Sequence, residues 1–230
     1  MADVSGSSRR DVVLVGGRCI GRTLLDRLEV DPRWRVVCII DDGLGVTHLW
    51  DTPVCGFDDY PHDCRSAILA LGKPADKRFY RQKALSIGLD FVTYIDAMAV
   101  VGGSCRVGKG SVILPFVTVV DGAQIGEHVF LSVYSGAGKN ARIGDYATLM
   151  NYSSVRGATI GDDAVLTGAV HVLDGADVGD RCWVAPGTIL RRPVPADQFV
   201  WGRPQHSRRR TQAGSPPAGS MEDDAMASLV

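Results

Sequence analysis

Near the N-terminus, a β-branched run, Val12-Val13-Leu14-Val15, ends in Gly16-Gly17 and leads through Arg18-Cys19-Ile20-Gly21 into an amphipathic stretch from Thr23 to Leu28. Glycines at a strand-to-helix turn bring backbone N–H groups to a helix N-terminus, where hydrogen bonds and the helix dipole together hold a phosphate. A second apolar run, Arg35 to Ile40, ends in Asp41-Asp42, carboxylates placed to hold the ribose or base of a nucleotide. Gly16-Gly17-x-x-x-Gly21 departs from the dinucleotide fingerprint, so the same glycines also fit a plain turn.

Further along, two of the five histidines stand beside apolar residues of a repeating pattern: His128 just before Val129, and His171 just before Val172. Either fits a proton-transfer role or an exposed corner. Tyr134, Ser135, Asn151 and Tyr152 could add polar contacts or face solvent. The six cysteines, Cys19, Cys38, Cys55, Cys64, Cys105 and Cys182, show no C-x-x-C spacing, which predicts buried or free thiols and neither zinc nor disulfides.

Most of these groups must be positioned by one repeat. Small aliphatic residues recur every six positions as Val107, Ile113, Val119, Ile125, Leu131, Ala137, Ile143, Leu149 and Val155. After a slip of one residue they continue as Ile160, Leu166, Val172, Val178, Val184 and Leu190. Six matches neither helix nor simple strand periodicity, but it suits a chain that turns a corner after each short strand and buries one side chain per face. A parallel β-helix follows, with glycine, Asp, Asn and Ser at the corners. The slip around Arg156-Gly157-Ala158 predicts an irregular coil, either shaping a pocket or simply a shortened corner.

Before the repeat, strands at Val12–Val15, Arg35–Ile40, Ala67–Leu71 and Phe91–Ile95 alternate with helices, including one over Ala75 to Gly88. Such alternation predicts a small parallel sheet whose ligands sit at the carboxyl ends of the strands. The expected organisation is a disordered N-terminus (1–10), an α/β Rossmann-like domain (11–96), a β-helix (97–206) and a disordered tail rich in Ser, Pro and Gly (207–230).

The chain has 45% hydrophobic residues and a formal charge of −1, giving no electrostatic case for nucleic acid as a partner. No apolar stretch approaches the length of a membrane span, and MADVSGSSRR lacks the apolar core of a signal peptide, so the cytoplasm is the expected compartment.

The [LIV]-G-x-x-x-x repeat resembles that of the left-handed β-helix (hexapeptide-repeat) acyltransferases. The order of domains, the Asp-Asp strand end and Leu71-Gly72-Lys73-Pro74 resemble the sialic-acid O-acetyltransferase and bacillosamine N-acetyltransferase group. The resemblance covers about residues 11–206 and implies a homotrimer, acetyl-CoA as co-substrate, no metal, and a sugar or nucleotide-sugar acceptor whose amino or hydroxyl group is acylated. It assigns acceptor binding to Gly16, Gly17, Arg18, Cys19, Gly21, Asp41, Asp42 and Gly72. CoA falls to Gly157, Gly168 and Pro186, while Arg203 and the run Arg208-Arg209-Arg210 either meet its adenosine phosphates through charge-assisted hydrogen bonds or are simply solvated.

The catalytic positions of that group, a histidine followed by an acidic residue, fall on Lys139 and Asn140. Lys139 then acts as base if burial lowers its pKa, or binds an anionic acceptor, or marks an inactive site. Two alternative functions stand beside sugar acylation: a different acyl donor or small acceptor in secondary metabolism, and a non-catalytic trimeric binding or scaffold protein.

Overall fold

The computed structural model describes residues 9–202 and 205–209. By internal contacts the chain forms two compact units: Met1–Leu71 with Phe79–Val92, and Gly72–Arg78 with Thr93–Val230.

In the first unit, strands β1 (Arg10–Val15), β2 (Trp34–Ile40), β3 (His48–Leu49), β4 (Thr52–Cys55), β5 (Ser66–Leu69) and β6 (Asp90–Phe91) form one sheet in the order β3-β4-β2-β1-β5-β6. All neighbours pair in parallel except β3 with β4. Helix α1 (Cys19–Val30) buries Ile20, Leu24, Leu25 and Leu28, the i, i+4, i+5, i+8 face of an amphipathic helix. Helix α2 spans Pro74–Ser86, with proline in the first turn, where no intrahelical N–H is needed. On one side of the sheet a core of Val13, Val15, Cys38, Ile40, Phe57, Tyr60, Ala67, Leu69 and Phe91 is packed with Ala84 and Tyr80 of α2.

The second unit is a parallel β-helix with three sheets. The first contains β7 (Tyr94–Ile95), β10 (Val112–Ile113), β13 (Phe130–Leu131), β16 (Thr148–Leu149), β19 (Val165–Leu166), β21 (Trp183–Val184), β23 (Gln198–Trp201) and antiparallel β24 (His206–Arg209). The second contains β8 (Val100–Val101), β11 (Thr118–Val119), β14 (Gly136–Gly138), β17 (Ser154–Arg156), β20 (His171–Val172) and β22 (Ile189–Leu190). The third contains β9 (Arg106–Val107), β12 (Gln124–Ile125), β15 (Arg142–Ile143) and β18 (Thr159–Ile160), extended by bridges at Val178 and Val194.

Partners along each sheet lie eighteen residues apart, as in Ile113 with Leu131 and Val119 with Ala137. Seventeen separate them across the slip, as in Leu149 with Leu166, and sixteen in the last coil, as in Val184 with Val200. The predicted aliphatic positions fill the interior, one per face per coil. A second inward position, two residues earlier, was not read from the sequence: Ala123, Val129, Ala141, Ala147, Ala158, Ala164, Val170, Ala176 and Cys182 are all buried.

The structure corrects several boundaries. The expected strand Phe91–Ile95 is two: β6 closes the first sheet and β7 is the first rung of the β-helix. Strands β3 and β4 were not expected, and β24 extends over Ser207–Arg209, at the start of the expected tail. The six cysteines are free; Cys38, Cys64 and Cys182 are buried and Cys19 is exposed. No helix among the described residues is long and apolar enough to cross a membrane.

Candidate functional site

In the first unit the chain leaves β1 in a left-handed turn at Gly16, φ 105°, whose N–H donates to the Ile40 carbonyl at 2.9 Å. A Cβ on Gly21 would collide with the carbonyl oxygen of Gly16, so glycine is what lets α1 start this close to the strand end. Asp41 locks the turn. Its Oδ2 accepts from Gly17 N–H at 2.8 Å and its Oδ1 from Gly43 N–H at 3.0 Å. Asp42 accepts from Phe57 N–H at 2.9 Å and pairs with Lys83 Nζ at 2.5 Å, which holds its carboxyl below the usual carboxylate range. Arg18 and Cys19 are exposed at the start of α1, and Arg18 reaches the Gly43 carbonyl at 3.4 Å. Gly16, Gly17, Arg18, Cys19, Gly21, Asp41 and Asp42 thus come together around one strand-to-helix turn. Gly72 belongs to the second unit, where its carbonyl accepts from Thr148 Oγ1 at 2.7 Å.

In the β-helix one group of ionisable residues lies on the outer face of the second sheet and the corner that follows it. Lys139 and Asn140 form that corner after β14, both left-handed at φ 47° and 59°. The Lys139 ammonium pairs with the Asp174 carboxylate two coils away, and Arg156 Nε lies 3.4 Å from the same group. Asp174 is held below the usual carboxylate range by Lys139 and then Arg156. Lys139 can span the intervening coil because the residue between is Gly157, φ 60°, where a Cβ would stand 2.7 Å from Asp174 Oδ1. The one-residue slip is therefore a shortened corner that brings a carboxylate over glycine.

On the opposite edge of the same face, Phe116, Tyr134 and Tyr152 stack on successive coils, with ring centroids 4.8 and 5.1 Å apart. Ser132 Oγ and Asn151 Oδ1 are hydrogen-bonded beside them, while Ser135 is buried and turns its hydroxyl to the Ser132 carbonyl at 2.7 Å. Gly168 and Pro186 continue this edge, with Gly187 N–H donating to Gly168 O at 2.9 Å. His128 is buried and stacked on Tyr146 at 5.1 Å, so it faces no cleft.

No family model matches the chain. An acyl-[acyl-carrier-protein]–UDP-N-acetylglucosamine O-acyltransferase of Pseudomonas putida is 28% identical over 109 residues, 46% of this chain and 42% of that protein. The chain thus spans less than half the length of the curated relatives it matches. PerB from Caulobacter crescentus, solved with CoA and GDP-perosamine, is similar over 86% of this chain and 97% of that one, with TM-score 0.79 and 22% identity. The acetyltransferase domain of PglB from Neisseria gonorrhoeae FA1090, solved with acetyl coenzyme A, is similar over 87% and 100%, with TM-score 0.80 and 16% identity. The resemblance to the hexapeptide-repeat sugar acyltransferases holds. The coils are those of a left-handed parallel β-helix.

Within this hexapeptide-repeat fold, Lys139, Asn140 and Gly157 share one corner, whereas Gly168 and Pro186 line the other; the second sheet lies between them. Asn140 serves the backbone, its N–H donating to Asp121 O at 2.8 Å in a conformation asparagine tolerates. The premise that burial frees Lys139 as a base is not met within the chain, since its side chain is 60% exposed and salt-bridged. Arg203 and Arg210 lie outside the described residues. Sequence reasoning missed Asp174 and Arg156, for which the only signal was the slip at Gly157. No group of three or more His, Cys, Asp or Glu among the described residues is placed to hold a metal ion.

Proposed function

We propose that the chain is an acyl-CoA-dependent transferase, with acetyl-CoA as donor, that acylates an amino or hydroxyl group of a nucleotide sugar. One observation carries this: the coil face bounded by the Lys139–Asp174 corner and the aromatic edge joins the bare backbone of Gly136 and Gly138 to the cations of Lys139 and Arg156. Acyl transfer needs proton acceptance, and it needs positive charge near a developing oxyanion and near anionic ligands. The complexes of PerB with CoA and GDP-perosamine and of PglB with acetyl coenzyme A support the same pair of co-substrates.

In this reading the first unit, a Rossmann-like domain over about residues 11–96, holds the nucleotide part of the acceptor at the Gly16–Gly21 turn. Backbone N–H groups take the phosphates there, and Asp41 fixes the turn. The β-helix holds CoA, with Gly157, Gly168 and Pro186 as contacts along its corners and Arg203 at its closing segment. The active assembly is a homotrimer that works in the cytoplasm. Lys139 stands exposed in a salt bridge with Asp174. It binds an anionic group rather than accepting a proton.

The alternative non-catalytic reading draws on the same ion pair, which occupies the place of the expected histidine. Calorimetric titration with acetyl-CoA, followed by a turnover assay on UDP-, GDP- and dTDP-amino sugars, separates the two. Binding of both co-substrates with turnover supports the transferase; binding of acetyl-CoA with no turnover favours the binding protein. No binding of either overturns acyl transfer.

A further inference from the structure

The second coil sheet carries a hydroxyl–imidazole pair that none of the roles above uses. Ser154 Oγ and His171 Nδ1 are 2.8 Å apart, and the two residues are register partners on β17 and β20, so the ladder itself holds them together. Both point outward, since Val155 and Val172 are the inward residues of the same strands. On the neighbouring strand the outward positions are Gly136 and Gly138, so bare backbone adjoins Ser154. Arg156, beyond Val155 on β17, and Asp174, three residues after His171, border the same patch and lead to Lys139.

Elimination among the five histidines points the same way. His48 bonds Thr47 and His62 packs on Tyr60, both in the first unit. His128 is buried, and His206 lies against Trp201 on β24. His171 alone stands on the face that carries the charged corner.

We propose, resting on the acyl-transfer reading, that His171, oriented by Ser154, is the catalytic residue that takes the proton from the acceptor. With Nδ1–H donating to Ser154 Oγ, the Nε2 lone pair is left to accept a proton. The acceptor nitrogen or oxygen attacks the thioester carbonyl carbon, forming the new C–N or C–O bond as its proton passes to Nε2. The C–S bond then breaks with its electron pair going to sulfur, and the imidazolium returns the proton to the CoA thiolate. This places base catalysis about 10 Å, two strand spacings, from the coil that ends in Lys139.

The test compares full-length wild type, His171→Ala, Ser154→Ala and Lys139→Ala with acetyl-CoA and the amino-sugar panel. His171→Ala is expected to lose about 100-fold or more in kcat, with KM for acetyl-CoA within about threefold and activity partly restored by added imidazole. A structural role would not be rescued in this way. Ser154→Ala is expected to lose about three- to tenfold, without rescue. Unchanged acetyl-CoA binding by calorimetry shows that His171→Ala and Ser154→Ala are folded, and an unchanged circular-dichroism spectrum shows it for Lys139→Ala. Retention of kcat within about threefold in His171→Ala overturns the proposal while leaving acyl transfer intact. So does a loss that imidazole does not restore, or rescue of Lys139→Ala by methylamine. Absence of turnover in the wild type overturns acyl transfer, and this proposal with it.

Discussion

Replacing Lys77 with methionine tests how the β-helix secures its corners. Lys77 is 1% exposed, and its Nζ donates to the carbonyls of His128, Tyr146 and Ala147 at 3.1, 2.8 and 3.1 Å. The Ala147 oxygen also accepts from Phe130 N–H, so it keeps a partner when the lysine is removed. Hydrogen bonds from a charged donor contribute about 1.5–3 kcal/mol each, or roughly 4–9 for three. Methionine recovers the desolvation of a buried ammonium, several kcal/mol, and fills similar volume. The net loss is about 3 kcal/mol, which lowers Tm by roughly 6–12 °C in a chain of this length.

The pH dependence adds an independent readout. Burial pushes the Lys77 amine well below the ordinary lysine range. The Asp163 carboxylate opposes that drop and Arg78 adds to it. With the folded pKa depressed below about 10.4, the unfolded chain binds more protons in the window between the two values, so stability rises with pH there. Lys77→Met removes this slope, and the stability gap between wild type and variant should widen from neutral pH toward about pH 9–10. Denaturant titrations at several pH values measure both effects. A variant within about 0.5 kcal/mol of wild type, with an unchanged slope, refutes the reasoning.

Gly157→Val should weaken acetyl-CoA binding by about tenfold or more, because a side chain there displaces Asp174 and frees Lys139. Gly168→Ala, whose Cβ would meet only Asn151 O at 3.7 Å, should change Kd by less than about threefold by calorimetry. Gly21→Ala should destabilise the first unit by about 2–4 kcal/mol and abolish nucleotide-sugar binding, since the new Cβ collides with backbone at the turn. Cys19, exposed at the start of α1, should react first with a maleimide and be shielded by a bound nucleotide sugar. Peptide mapping that shows no shielding would remove the acceptor from this turn.

The repeat was legible because each aliphatic residue has one structural consequence, an inward position that stacks on the residue eighteen ahead. The Gly16–Gly21 turn and Asp41 were legible for the same reason: their contacts lie at the ends of strands and helices read from local pattern. Elements whose partners are remote were not. Strands β3 and β4 are short, interrupted by Pro53, and show no alternation. The split at Val92 was hidden because Phe91 to Ile95 is an unbroken run of β-branched and aromatic residues, as one strand would be, although the chain changes sheets within it. Lys77 reads as a solvated helix residue, and nothing in its neighbourhood along the sequence announces three carbonyls.

The corners show most clearly why turn chemistry alone could not place the site. Turn rules reserve positive φ for Gly, Asn and Asp, yet Phe116, Tyr134 and Tyr152 occupy it at φ 61°, 58° and 62°. Each costs roughly 1–2 kcal/mol in that conformation, while each stacked pair contributes about 0.5–1.5 kcal/mol beyond burial. Ring on ring, one coil apart, offsets much of the backbone cost at these three corners. The lysine corner follows the same logic: Lys139 finds its partner in Asp174 two coils on, across a glycine. In both cases the compensating group lies about one or two full coils away in sequence. The chemistry-bearing edges of this face are thus set by contacts between coils, which a reading of single turns does not reach.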